Sequence, residues 1–351
     1  TLYTGGSLTL HNYAPTIVGT RDDYEFGKKA NTAGTGTVSA SILTVDGNRF
    51  QNAGKNQNIT TPGSTVRNTY AGLSVYGNTT NHNELNLTGG SHPNARAGYT
   101  DAQNGGSDFN TLNLKTGGSV TNGYAGYTTG VYLLVNPEDE EHPELVDTTK
   151  NADAKKNTVN IQGGTLNAGG KLYGGYIATN TALSATSTGN ASGNTINIGD
   201  GTTDATAVVT GTLYGGNKSA EGNVLNIKST GARVGSLRNF GKITFSLGAN
   251  VQDGDTVLTL NQDTTLTYST VEKPTGTNVS AWLGSAMEKN VKLFQMANGK
   301  TLTLSGYTPA TGSERKGDVE YSLVTDNNAG TTTGNAAGTS GSLNLSAYKW
   351  Q

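Results

Sequence analysis

The sequence predicts an all-β protein: a parallel β-helix (β-solenoid) with insertion loops and a C-terminal β cap. Three observations predict it. The composition is rich in turn formers and poor in core formers. A two-part phrase recurs through the middle of the chain. Within each copy, apolar and polar residues alternate.

The 351 residues include 50 Gly and 7 Pro, and only 33 % are hydrophobic. Chains this poor in apolar residues are either disordered or wound round a narrow core with many turns. Apolar pairs kept in register decide for the core, because a disordered tract has no use for them. Charged residues make up 14 % of the chain and the net charge is -2. With no basic cluster there is no electrostatic grip on nucleic acid. No run of about 18 apolar residues exists, so no membrane-spanning helix is expected. The absence of cysteine fits a bacterial exported chain better than a disulfide-stapled domain. The chain opens mid-pattern at Thr1 without a visible signal peptide, as expected of a processed piece.

The repeat carries the argument. Its first half reads "NELNLTGG" from Asn83, "NTLNLKTGG" from Asn110, "NTVNIQGG" from Asn157, "NTINIGDG" from Asn194 and "NVLNIKSTG" from Asn223. Its second half reads "ARAGYT" to Thr100, "GYAGYT" to Thr128, "LYGGYI" to Ile177 and "LYGGNK" to Lys218, and decays to "RVGSLRNFG". A looser early copy is "SILTVDG" from Ser41 with "TYAGLS" from Thr69. Successive leading asparagines are 27, 47, 37 and 29 residues apart. A constant phrase at an uneven period means constant coils carrying loops of different length, the longest being 129–156 and then 178–193.

Strand parity assigns the phrase. Asn157, Val159 and Ile161 share one face, and Thr158 and Asn160 the other. The apolar pairs Leu85/Leu87, Leu112/Leu114, Val159/Ile161, Ile196/Ile198 and Leu225/Ile227 should stack as core ladders. Asn83, Asn110, Asn157, Asn194 and Asn223 have inward parity and should form an asparagine ladder, amide on amide. The double glycine turns the corner, and "YGG" or "AGY" places small residues beside a tyrosine at a tight bend.

Three regions follow: 1–40 as an N-terminal cap or loop region, 41–240 as the repeat body, and 241–351 as a continuation that ends in a cap. A cap is needed because a final coil exposes a sheet edge. Trp282 and Trp350 suit cap packing. The one segment compatible with a short helix is 280–290.

Catalytic candidates are weak. Asp22, Asp23 and Glu25 sit among Arg21, Lys28 and Lys29. Glu138, Asp139, Glu140, Glu141 and Glu144 form a contiguous run, whose side chains scatter instead of converging as glycoside hydrolysis requires. His11, His82, His92 and His142 are far apart and placed in loops, so no zinc site is supported. His142 among its acidic neighbours is either a weak cation site or an exposed histidine. The calcium-binding nonapeptide is absent. "NGKT" at 298–301 lacks the glycine of a phosphate loop, where Phe294 stands instead. The reading is of a protein that is not an enzyme and has no cofactor.

The insertion 129–156 is the most unusual segment. "VYLLV", Val131, Tyr132, Leu133, Leu134 and Val135, is the strongest apolar run of the repeat region. Either it folds back on its own coil, or it is a patch for a partner, the candidate receptor-binding residues.

"NTVNIQGG…LYGGY" and "NTINIGDG…LYGGN" resemble the coils of bacterial autotransporter passenger domains, particularly those of large anaerobe surface adhesins. The resemblance covers about 41–240. It implies a β-helix displayed on the outer face of the outer membrane, with the barrel anchor outside this chain. It further resembles the fusobacterial trimeric adhesins that bind carcinoembryonic-antigen-family (CEACAM) receptors. That implies a homotrimer and an immunoglobulin-like host receptor protein as partner, with no nucleic acid. Two other readings remain open: a polysaccharide-binding or -degrading β-helix, and a self-associating surface-layer or biofilm protein.

Overall fold

The computed structural model describes residues 2–11, 23–25, 28–29, 37–46, 68–74, 79–101, 105–135, 144–146, 150–200, 208–246, 251–267, 270–271, 283–305, 312–325, 331–333 and 341–349. The protein is all-β, and its two large sheets are built from parallel strands in a nearly continuous stack.

Through the repeats the chain alternates between the sheets. Glu84–Leu87, Thr111–Lys115, Thr158–Gln162, Thr195–Ile198, Val224–Ile227 and Lys242–Phe245 pair side by side in the first sheet. Ser91–Thr100, Ser119–Thr128 and Thr165–Ile177 pair in the second. Thr212–Gly216 and Ser236–Arg238 extend it. Alternation of apolar and polar residues makes each first-sheet strand one-sided. Register then puts like on like. Leu85, Leu112, Val159, Ile196, Leu225 and Ile243 form one column, and Leu87, Leu114, Ile161, Ile198, Ile227 and Phe245 the next. All twelve are buried. Leu172, Leu213 and Leu237 face them from the second sheet, in register and buried. Each such aliphatic side chain contributes about 1.5–3 kcal/mol on burial.

Between the sheets the double glycine turns the chain. Gly90, Gly117, Gly163 and Gly199 have φ of 81°, 99°, 117° and 81°, a region that a Cβ disfavours.

Parallel pairing reaches beyond the repeats. Leu2–His11, from the expected N-terminal cap region, lies parallel to Thr37–Asp46, which runs on into the expected repeat body. Thr256–Leu260 and Glu288–Met296 continue the second sheet in parallel. The sense then reverses: Ser342–Lys349 pairs antiparallel to Glu288–Met296, followed by Val319–Thr325 and Gly312–Lys316, also antiparallel. This cuts back the short helix expected over 280–290: Leu283 is helical and a turn follows it, but Glu288–Met296 is a strand. Lys289, Val291 and Leu293 point inward while Glu288, Asn290 and Lys292 stay exposed, so period-2 burial overrides local helix propensity. Trp282 and Trp350 lie outside the described residues.

Candidate functional site

The leading asparagines form a continuous buried ladder. The backbone N–H and Nδ2 of Asn83 both donate to Asn110 Oδ1, each at 3.0 Å. Asn110 donates in the same way to Asn157 Oδ1 (2.9 and 3.2 Å), Asn157 to Asn194 Oδ1 (2.9 and 3.1 Å), and Asn194 to Asn223 Oδ1 (3.0 and 3.2 Å). Spare Nδ2 protons reach the carbonyls of Thr80, Ser107, Ala154 and Ala191. All five asparagines are at most 1 % exposed, where an unmade hydrogen bond is costly.

A second ladder escaped the sequence reading. Asn113 Nδ2 donates to Asn86 Oδ1 (2.7 Å), Asn160 to Asn113 (2.9 Å), Asn197 to Asn160 (2.8 Å) and Asn226 to Asn197 (3.0 Å). It runs along the outer face of the first sheet, and the Thr244 hydroxyl closes it by donating to Asn226 Oδ1. The signal was present as the second asparagine of every copy.

The residue before each buried asparagine is left-handed. His82, Phe109 and Lys156 have φ of 55°, 56° and 55°, and Gly193 and Gly222 have 66° and 65°. The three side chains make an exposed column. The His82 and Phe109 rings stack at 5.2 Å, and Lys156 Nζ lies 5.3 Å from the Phe109 centroid.

The insertions leave and return along one edge. Thr128 and Ile177 are register partners, and the two long loops depart just after them. The returning segments are hydrogen-bonded in file: Ser107 N–H to Asp153 O (2.8 Å), Ala154 N–H to Asn190 O (2.9 Å) and Gly193 N–H to Glu221 O (3.4 Å). Val131 is 2 % exposed. It packs into the protein, since an apolar side chain at a loop root gains more from burial than from water. Tyr132 is half-buried. Leu133–Val135 pairs antiparallel with Glu144–Val146, so this insertion begins as a hairpin. The second insertion is likewise a small hairpin, Thr179–Asn180 against Ala185–Thr186.

The outer face of the second sheet carries a continuous cluster of aromatic side chains, and sequence reasoning missed it. One register column reads Tyr70, Arg96, Tyr124, Tyr173, Tyr214, Arg238, and its neighbour reads Leu73, Tyr99, Tyr127, Tyr176. The rings form a herringbone. Tyr124/Tyr173 and Tyr127/Tyr176 are stacked at 5.3 and 5.1 Å, within 5° of parallel, while Tyr124/Tyr127 and Tyr173/Tyr176 meet edge to face. Such arrangements are favoured by the ring quadrupoles. The Arg96 guanidinium carbon lies 4.5 Å from the Tyr127 centroid, 4.6 Å from Tyr99, 5.1 Å from Tyr124 and 5.7 Å from Tyr70. Its Nη1 donates to Asn68 Oδ1 at 3.3 Å, and its buried Nε has no partner. Burial pushes the Tyr124 phenol up to about 12, against a smaller opposing pull from Arg96. Burial likewise raises Tyr99, Tyr127 and Tyr173.

Beyond Arg238 the face runs into a cleft of about 390 Å³, lined by Arg238, Asn239, Phe240, Asp263 and Thr265.

His92 corrects the placement of the histidines in loops. It lies in the strand Ser91–Thr100 and is fully buried. Its Nδ1 accepts from the Thr69 hydroxyl at 2.8 Å, and its Nε2 donates to Gly89 O at 2.9 Å. Burial lowers its pKa to about 4, a loss that the Gly89 bond partly offsets. His142, Asp22 and the acidic residues 138–141 lie outside the described residues. Among the described residues no helix is long and apolar enough to cross a membrane. Compared with known proteins, the chain matches no family model, no curated protein and no solved structure.

Proposed function

We propose that this chain is the displayed passenger of a bacterial surface adhesin, a parallel β-helix whose insertions contact a host-cell receptor protein. What supports the β-helix is the passage of each repeat from the first sheet to the second and back, one register step further on. The observation that carries the adhesin reading is the edge on which the insertions leave and re-enter a body locked by two asparagine ladders. A rigid body bearing variable loops on one side is suited to recognition, because the scaffold holds the loops at little entropic cost on binding. The partner in this reading is an immunoglobulin-like receptor of the carcinoembryonic-antigen type. The body sits at the cell surface as a homotrimer, held by an anchor outside this chain, and performs no catalysis.

The test is binding of the purified chain to a panel of immunoglobulin-like receptor ectodomains, measured by surface plasmon resonance. Replacing residues 132–148 by a short Gly-Ser linker should abolish binding while the β spectrum is retained. Unchanged affinity would remove this insertion from the interface, and no binding to any ectodomain would defeat the receptor assignment.

A further inference from the structure

We propose that the cleft between Ser236–Arg238 and Thr264–Thr267 binds the neutral terminal hexose of a glycan through Arg238, Asn239, Asp263 and Thr265. The cleft opens where the strand stack breaks. Ser236–Arg238 pairs with Thr212–Gly216 on one side. Across the cleft, Thr264–Thr267 belongs to a separate three-stranded sheet with Thr301–Ser305 and Thr331–Thr333. The two strands meet at their starts, where Ser236 Oγ lies 2.9 Å from Thr264 Oγ1 and donates to Asp263 O at 3.2 Å. Beyond that contact the seam holds about 390 Å³, within the range of roughly 300–1,000 Å³ usual for small-ligand sites.

Its floor is closed and its walls are polar. Phe240 and Leu266, at the bottom, are 1 % and 2 % exposed. Arg238, Asp263 and Thr265 are exposed, and Asn239 is half-buried. Two of these four are already held in place. Asn239 Nδ2 donates to Gly216 O at 2.8 Å, and Asp263 Oδ1 accepts from the Thr301 N–H at 2.9 Å. Asn239 also has φ of 59°, a left-handed turn between exposed Arg238 and buried Phe240, and such positions recur at ligand sites. Side chains fixed beforehand lose little freedom on binding.

The chemistry of the walls selects the class of ligand. Guanidinium, amide and carboxylate each present two polar atoms in one fixed plane, an arrangement that matches two neighbouring hydroxyls of a sugar ring. The cleft combines donors on Arg238 with acceptors on Asp263 and Asn239, and the Thr265 hydroxyl serves either way. A sugar hydroxyl donates and accepts at once, so it can use both kinds. The opposite charges of Arg238 and Asp263 offset each other towards a purely anionic or purely cationic ligand. A zwitterion would meet one of each, but both side chains are exposed, where a charge pair gains little.

The experiment titrates the full chain by saturation-transfer NMR. The probes are the methyl glycosides of galactose, glucose, mannose and N-acetylglucosamine, with glycine and alanine as zwitterionic controls. Binding of at least one glycoside, little changed by salt, with none of either amino acid, is the expected result. Thr265→Val and Arg238→Gln should each weaken it by about fivefold, the scale of one lost hydrogen bond. Asp263→Ala should weaken it at least as much, and Lys242→Gln on the first sheet should change nothing. If Asp263→Ala does not fold, for want of the Thr301 acceptor, the other two variants decide, since both side chains are exposed. Binding of no glycoside, or full binding by Thr265→Val and Arg238→Gln, would overturn the proposal. So would equal binding of the amino acids, which carry the charges without the hydroxyls. Loss of the 132–148 insertion should leave glycoside binding intact, so failure here and failure of the receptor reading are separable.

Discussion

Gly126 has no side chain because the amide of Asn157 occupies the place where one would sit. A Cβ built on Gly126 overlaps Asn157 Nδ2, and one on Gly98 overlaps Asn110 Nδ2. The same relation joins Gly72 to Asn83 and Gly175 to Asn194, while a Cβ on Gly215 meets the Asn239 carbonyl and the Cβ of Asn223. The two halves of the repeated phrase are therefore one device: the glycine of each copy opens the space that the next asparagine fills. Gly126→Ala should cost about 3 kcal/mol, combining overpacking with a broken ladder step. Urea unfolding checks the loss. In the Gly126→Ala/Asn157→Ala double variant the two losses should fall well short of adding, as for groups that share one interaction.

The two ladders should differ in cost. Asn157→Ala leaves buried donors of Asn110 without their acceptor, and about 2–4 kcal/mol should be lost. Asn160→Ala, on the half-buried outer face, lets water replace the amide and should cost below about 1 kcal/mol. Equal midpoints in denaturant would contradict the assignment of inner and outer faces.

Left-handed Lys156 makes a backbone prediction. An L side chain at such φ costs roughly 1–2 kcal/mol, whereas glycine restores about 0.5–1 kcal/mol of unfolded-state entropy. Lys156→Gly should therefore stabilise by about 0.5 kcal/mol, and Lys156→Val, β-branched, should destabilise by about 1 kcal/mol or more. Thermal melts of the two variants should move in opposite directions.

Acid should weaken the protein through His92. Its pKa falls from 6.5 to about 4 on folding, so between these values the unfolded chain binds a proton that the folded chain does not. Stability is complete above pH 6.5, declines as pH falls toward 4, and loses about 3 kcal/mol from this group by then. Below pH 4 both states are protonated and this contribution stops changing. The difference between wild type and His92→Gln, followed by denaturant unfolding from pH 7 to 4, isolates the slope from that of the carboxylates.

The ladders of Leu, Val and Ile and the inner asparagines are readable from sequence because side-chain direction in a strand is a local property. The tyrosine face is not, because direction resets within its strands. In Ser119–Thr128 both Ala125 and Gly126 are buried, so Tyr124 and Tyr127, three apart, point outward together. Strict parity sends one of them inward. The size of residues 125 and 126 was the available clue, since only small side chains can share an inside corner. His92 gave no clue, as its partner Thr69 is 23 residues away. His82, Phe109 and Lys156 share a backbone conformation with Gly193 and Gly222, but only the glycines advertise it. The insertion edge was legible in outline from the uneven period, and the burial of Val131 was one of its two open readings.

The ladder also has a polarity. Every step runs from donors on one asparagine to the Oδ1 of the asparagine 27, 47, 37 or 29 residues later. Bonds aligned with the stack are loaded in series when its ends are drawn apart, so tension peels strands away singly and does not shear them together. Each rupture frees one copy, and at about 3.3–3.6 Å per residue the slack released differs from copy to copy. The irregular insertions thus turn the body into a graded shock absorber, paying out unequal lengths of chain while the remaining copies hold their register.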